Sequence, residues 1–411
     1  MARDGMQQAI DHNATIQKHK PIPRGIATNG PPLLSYGFRP FFLGAGILAP
    51  VAMLGWIGAL ALGWEIGGSY GALNWHAHEM LFGYASAALA GFMLTALPNW
   101  TGRLPVSGVP LLALVVLWLL GRVAIAIPDA IGVVPSVILD ACFLPALAII
   151  AAREIVAGKN WRNLKILGGL VGLGIANVAF HISVMSTGFA MEASRATVGI
   201  YVVLIAIVGG RIVPSFTRNW LVKTGSLRLP KPLSRFDLIS IIALAIACAA
   251  WVVIDETIVA ATLAFVACIL QAVRLWRWAG WLTIEEPLLL VLHVGYAFIP
   301  LGLFCVGLSE LSLLSSASAL HVLTVGAIGG MTFAIMTRAS LGHTGRALNA
   351  DRGTVVIYAL VNLGALLRVT AGWMPFDYTQ VVACAGILWS LAFLVFAGKY
   401  GVYMFTPRID D

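Results

Sequence analysis

Six of the eight histidines in this chain lie in or beside long apolar runs: His76, His78, His181, His293, His321 and His343. Neutral imidazole is a common metal ligand, and its ordinary titration near neutrality also suits it to moving protons. In hydrocarbon an ionisable ring is costly, so each such residue faces a cavity or a partner and marks a candidate site. His76 and His78 open the stretch WHAHEMLFGYASAALAGFMLTALPNW (75–100). Two residues apart on an ideal helix, they point about 200° away from each other and cannot both face one point. Either that first turn is irregular, or the two rings serve different centres. His76 shares its face with Glu79 and Met80, at i+3 and i+4, a donor mix that suits copper or the orientation of a ligand. Glu79 also has a plainer explanation, an acid near a helix N-terminus favoured by the macrodipole.

The elements that must position these rings are membrane spans. The 411 residues are 59% hydrophobic and 11% charged, with a mean hydropathy of +0.90, a composition foreign to soluble domains. Apolar runs longer than about 18 residues recur along the chain, and no signal-peptide pattern precedes the first. The runs predict twelve spans, at 41–62, 76–97, 109–127, 133–152, 166–186, 196–216, 238–254, 257–275, 287–308, 318–339, 354–371 and 378–397. An all-α integral membrane domain over 36–398 is expected, between a disordered tail over 1–35 and a short C-terminal tail over 399–411. The net charge of +8 does not point to nucleic acid, because the Lys and Arg residues sit in short loops between spans. The five cysteines fall inside apolar spans with no C-x-x-C and no C-x-x-C-H, which excludes c-type haem and argues against a disulfide scaffold.

Lys and Arg crowd the loops after the even-numbered spans, while the opposite loops hold Glu65, Asp129, Glu192, Asp255, Glu256, Glu310 and Asp377, with Arg195 the clear cation among them. Both termini are therefore expected inside. A register links distant parts: His78 to Thr101-Gly102-Arg103 against His321 to Thr344-Gly345-Arg346, and Thr217-Arg218-x-x-Leu221-x-x-Thr224-Gly225 against Thr337-Arg338-x-x-Leu341-x-x-Thr344-Gly345. The copy around the sixth span has Tyr201 where the others have histidine. Four spans per copy return the chain to the same side, so the expectation is three parallel pseudo-repeats of four helices. Inverted-repeat transporters need an odd number of spans per unit.

With that topology, His76, His78, His181 and His321 share an outer level, and His293 and His343 form an inner level where they can meet. Arg122 and Arg368, embedded in apolar sequence near the outer level, suit carboxylates held bidentately, haem propionates included, although snorkelling to headgroups explains either one equally well. Asp140 is expected to pair with one of them. Asn177, four residues before His181, and Arg338, in the repeated Thr-Arg motif, are further cofactor-binding candidates. Glu79 and Tyr201 are the catalytic candidates, and Asp140, Tyr70 and Tyr84 join Glu79 as candidates for proton handling.

WHAHEMLFGY (75–84), GFRPFFL (37–43), NVAFH (177–181), LHVGY (292–296) and HVLTVGAIGGMTFAIMTRASLGHTGR (321–346) together resemble the NnrS family over essentially the whole membrane part. The resemblance implies a multi-pass protein of the bacterial cytoplasmic (inner) membrane that binds haem and copper and is tied to nitric oxide tolerance and denitrification. A looser architectural likeness is to haem-copper oxidases and related nitric oxide reductases, but their metal ligands on helices 6 and 7 have no counterpart here. The expected function is the binding of one or two b-type haems, with copper as a further metal, for reduction or detoxification of nitric oxide; ligands would come from His78, His181, His321 and His76 at the outer level and from His293 with His343 at the inner one. Membrane lipid surrounds the protein, and electrons for reduction would come from quinol or a donor protein. A copper or small-solute permease and a non-catalytic nitric oxide sensor are the rival readings.

Overall fold

The computed structural model describes residues 30–255 and 257–409. The expected N-terminal tail through residue 29 lies outside them, and Pro32–Leu34 forms a turn of 3-10 helix. Among the described residues, twelve helices are long and apolar enough to cross a bilayer: α1 (Phe38–Leu62), α2 (Ala72–Thr101), α3 (Val109–Ala126), α4 (Val133–Ala157), α5 (Trp161–Thr187), α6 (Met191–Lys223), α7 (Arg235–Val253), α8 (Ile258–Trp276), α9 (Pro287–Glu310), α10 (Ser316–His343), α11 (Arg352–Trp373) and α12 (Tyr378–Phe405). No strand occurs among the described residues. The chain is a multi-pass membrane protein. The expected spans all appear, most of them lengthened. α6 outruns its apolar window at both ends, and α12 continues to Phe405, so residues 399–405 of the expected C-terminal tail are helix.

Local chemistry sets the ends of these helices. Side chains of Thr257, Ser315, Asp351 and Asp377 accept the N–H three residues on and so cap α8, α10, α11 and α12, satisfying donors that the first turn leaves free. Ser234 and Asp237 form a reciprocal capping box on α7. Gly63 and Gly188, in the left-handed region, close α1 and α5. α4 is interrupted at Cys142, where Pro145 removes the N–H that would bond back to residue 141.

α12 packs on α1, closing the helices into a ring, while α2, α6 and α10 touch one another inside it. Burial follows this placement: the apolar windows of α2, α9 and α10 are 78%, 72% and 67% buried, against 33–39% for α3, α4, α5, α7, α8 and α11. Ile138, Ile175, Ile182, Ile269 and Leu363 on those outer helices are exposed, as a lipid-facing surface requires. α9 and α10 approach most closely through glycine, since a Cβ on Gly295 would lie 3.1 Å from the backbone of Gly330 and Met331. One end of the bundle carries the acid-bearing loops α1–α2, α3–α4, α5–α6, α7–α8, α9–α10 and α11–α12; we call it the acidic end, and the other the basic end.

Two inner helices are not regular. In α2 the turn Glu79–Tyr84 widens into a π-helix, and in α10 the same happens over Val322–Gly329. Each begins directly after a histidine, His78 or His321. A widened turn leaves carbonyls under-satisfied, and such segments recur at functional sites. In α2 the partners come from other helices: the Tyr201 hydroxyl on α6 donates to Leu81 O at 2.9 Å, and the Trp118 indole on α3 donates to Gly83 O at 3.0 Å.

Candidate metal centre

His76 and His78 lie in the regular turn before the π-segment, so the divergence expected of an ideal helix holds and they serve different places. His78 faces α4 and α5, where its Nε2 donates to Asp140 Oδ2 at 3.1 Å and lies 3.2 Å from Asn177 Oδ1. His181 Nε2 donates to the same Asp140 oxygen at 2.9 Å, and Asn177 Nδ2 donates to it at 2.9 Å. The two imidazole centroids are 4.8 Å apart. Ligand atoms of His78, Asp140 and His181, all buried, lie within 4.8 Å of one another and form a group able to hold a metal ion.

A charged frame surrounds this trio. The Arg122 guanidinium donates through Nη1 to Glu79 Oε1 at 2.7 Å and pairs through Nη2 with Asp140 Oδ1. Asp140 thus meets one of the two expected arginines. Glu79 Oε1 also approaches His78 Nδ1, at 3.3 Å. Gly83 leaves the space for the pair, because a Cβ there would come 2.7 Å from Glu79 Oε2 and 2.9 Å from Arg122 Nη1. Tyr70 hydrogen-bonds His181 Nδ1. It is presented by the 3-10 turn Gly68–Tyr70, which Asp129 pins by accepting the Ser69 N–H at 3.0 Å, while Asn74 Nδ2 ties the Tyr70 and Gly188 carbonyls together at 3.0 and 2.9 Å.

His76 points the other way and stacks on Trp56 of α1 at 4.9 Å. With His321, Arg368 and Trp389 it lines a narrow pocket that adjoins a cavity of about 290 Å³ running between α2, α6 and α10. His321 Nδ1 sits 2.6 Å from Ala317 O. A carbonyl only accepts, so Nδ1 carries the proton and Nε2 keeps its lone pair, the state of a ligating histidine with a backbone partner behind it.

The outer-level histidines therefore divide into two pairs on either side of α2, a pairing that their expected common depth left open. The pairing depends on the rotation of α2, which packing decides. The inner histidines have different neighbours: His293 Nε2 meets Thr217 Oγ1 at 2.8 Å beside Trp278, whereas His343 lies against Tyr36 and Phe38. Arg338 stacks over Phe216 at 4.2 Å, in a second cavity of about 290 Å³ toward the basic end that His343 also lines. Tyr84 bonds Thr332 across to α10. Arg122, expected as a possible propionate holder, has both terminal nitrogens committed to carboxylates. Tyr201 lies apart from the trio, bonded to backbone. Trp56, Trp118 and Trp389 escaped sequence reasoning, although a tryptophan inside a span carries an N–H that needs a partner.

Fold and site together define a polytopic helical membrane protein with a buried two-histidine, one-carboxylate group near the acidic end. The family described as NnrS protein matches residues 32–408, and the chain belongs to that family. No curated protein matches the chain.

Proposed function

We propose that this protein holds metal at two chemically distinct places near the acidic end and acts there on nitric oxide, as its family's association with that molecule suggests. The observation that carries the reading is the convergence of His78, Asp140 and His181. Two imidazoles and one carboxylate suit a bare transition-metal ion, with Asn177, Tyr70 and Glu79 as the outer partners that orient ligating groups. A porphyrin does not fit between these rings, since both Nε2 atoms rest on one Asp140 oxygen. This favours an ion such as copper or iron over haem for His78 and His181.

The His76–His321 cavity suits b-type haem better. It offers imidazoles from two helices, one with its Nε2 lone pair available, and an arginine with an unpartnered nitrogen. Bound there, a haem would supply redox and diatomic-ligand chemistry. The chain's own residues would ligate it, orient its carboxylates toward Arg368 and bury it among apolar side chains. Nitric oxide is small and apolar, so the largely apolar walls toward α6 and α10 suit its approach. Reduction of two nitric oxide molecules to nitrous oxide and water takes two electrons and two protons, the electrons drawn from quinol or a donor protein.

We also read the basic end as cytoplasmic, on the Lys and Arg bias, and the membrane as a bacterial inner membrane. The reading of three parallel four-helix units is supported by the π-segments that start directly after His78 and His321, and by left-handed glycines at the matching ends, Gly102, Gly225 and Gly345.

An optical and metal inventory of the purified protein tests the proposal. His321→Ala is expected to lose the haem absorption and keep the ion, and His181→Ala to do the reverse. A colourless wild-type protein without bound metal would overturn it.

A further inference from the structure

The two polar sites flanking α2 have opposite charge imbalances. Around His78, two carboxylates, Glu79 and Asp140, face one guanidinium, Arg122, and a bound cation would offset the difference. The pocket around Arg368 has the reverse problem. Arg368 is 9% exposed and makes no ion pair with any described carboxylate. No Asp or Glu lines the pocket, whose walls come from α1, α2, α10, α11 and α12.

Arg368 is also short of acceptors. Its Nη2 lies 3.2 Å from His321 Nδ1, but that nitrogen's proton is already directed at Ala317 O, so the contact sets donor against donor. Its Nη1 is buried without a partner, as are His76 Nδ1 and Trp389 Nε1 in the same pocket. Toward the acidic end it meets Tyr378, whose ring lies 5.9 Å away and whose hydroxyl accepts from the guanidinium without supplying a carboxylate. A guanidinium withdrawn from water without a counter-charge and short of acceptors is strongly unfavourable. Two obligate donors, Arg368 Nη1 and Trp389 Nε1, flank this one space.

We infer that the pocket takes an anionic oxygen group, held by Arg368 and the Trp389 indole N–H beside His76. The void is about 30 Å³, room for one small group, and it shares Met53, His76, His321, Val325 and Trp389 with the larger cavity. Two sources have this chemistry: a carboxylate of a haem seated in that cavity, or a free small oxyanion. The inference stands on charge and orphaned donors, independently of any metal at His78.

The test uses full-length protein in detergent, as wild type, Arg368→Gln, Arg368→Lys and Trp389→Phe. Haem per protein is measured first. Sodium nitrite is then titrated at constant ionic strength, read by tryptophan fluorescence and Tm. If a haem carboxylate fills the pocket, haem retention falls in Arg368→Gln and the haem-loaded wild type ignores nitrite. If a free oxyanion fills it, haem content is unchanged, and wild type binds nitrite saturably with a rise in Tm. Arg368→Gln then weakens nitrite about tenfold or more, the scale of one lost hydrogen bond to a charged group. Arg368→Lys and Trp389→Phe, which keep the charge and the ring, give intermediate losses and remain informative if the glutamine variant does not fold. The inference is overturned if all three variants match wild type in haem content and nitrite response, with Arg368→Gln as stable or more so. Nitrite binding that depends on Arg368 in a protein without haem or nitric oxide chemistry would uphold the pocket and sink the proposed function.

Discussion

Asp140 is where the proposed metal trio is most sensitive. One of its oxygens receives His78, His181 and Asn177, and the other pairs with Arg122. Asp140→Asn keeps the shape and removes the charge, leaving Glu79 as the one counter-ion of Arg122. Glu79 still compensates Arg122, so the cost is that of the charge-assisted hydrogen bonds weakened at Asp140, about 1–3 kcal/mol. The expected result is loss of the bound ion on elemental analysis together with a lower Tm; an unchanged ion content would remove Asp140 from the ligand set. Much of this site was readable in the sequence. Span topology and helix pitch placed His76, His78, His181 and His321 at one depth and turned His76 away from His78 unless the first turn was irregular, and Asp140 was matched to an arginine. The destinations were not readable, because they depend on how α2 is turned against α4 on one side and α1 and α10 on the other. Sequence spacing along a single helix carries no record of that angle.

At the scale of the element, the π-segment of α2 accounts for Tyr201. Its hydroxyl donates to Leu81 O inside the widened turn, so Tyr201→Phe leaves that carbonyl without its partner at a cost of about 1–3 kcal/mol. Thermal denaturation should report the loss while the metal content stays at the wild-type level; a variant of full stability that had lost its metal would return Tyr201 to the site. Hydropathy could not reveal the π-segments, since widening a turn changes hydrogen bonding and leaves composition untouched. The start of α11 makes a separate case. Asp351 accepts the Thr354 N–H at 3.0 Å and pairs with Lys399 of α12, and that partner, more than the cap, lowers its carboxyl pKa to about 2. A depressed carboxyl contributes stability above its ordinary range, and the contribution disappears as pH falls through about 2. Asp351→Ala should therefore lower stability by about 1 kcal/mol at neutral pH, with the gap from wild type closing toward pH 2. A gap independent of pH would assign the effect to something other than this charge.

For the whole molecule, an even number of spans puts both termini on one side of the bilayer whichever way the protein inserts. The twelve helices fix this parity, and the direction depends on the loops. Arg103, Arg153, Lys159, Arg162 and Lys165 lie at the basic end, opposite Glu65, Asp129 and Asp377, and charge of this kind in short loops decides orientation. Not every basic residue near a span end is free to do so. Arg274 is buried at 1% exposure, where it donates to Asp237, Ala206 O and the Tyr296 hydroxyl, which in turn donates to Gln271, and so helps join α6, α7, α8 and α9. Arg39 is likewise buried, donating to the carbonyls of Tyr403, Met404 and Thr406 at the end of α12. Removing these two from the count leaves the bias intact, so the His78–Asp140–His181 trio should lie toward the exterior. A cytoplasm-active reporter fused after residue 411 should be active, and the same reporter inserted at Asp129, beside the loop that holds Tyr70, should be silent. The opposite pattern would place the two-histidine site on the cytoplasmic side, and with it any partner that delivers electrons or metal.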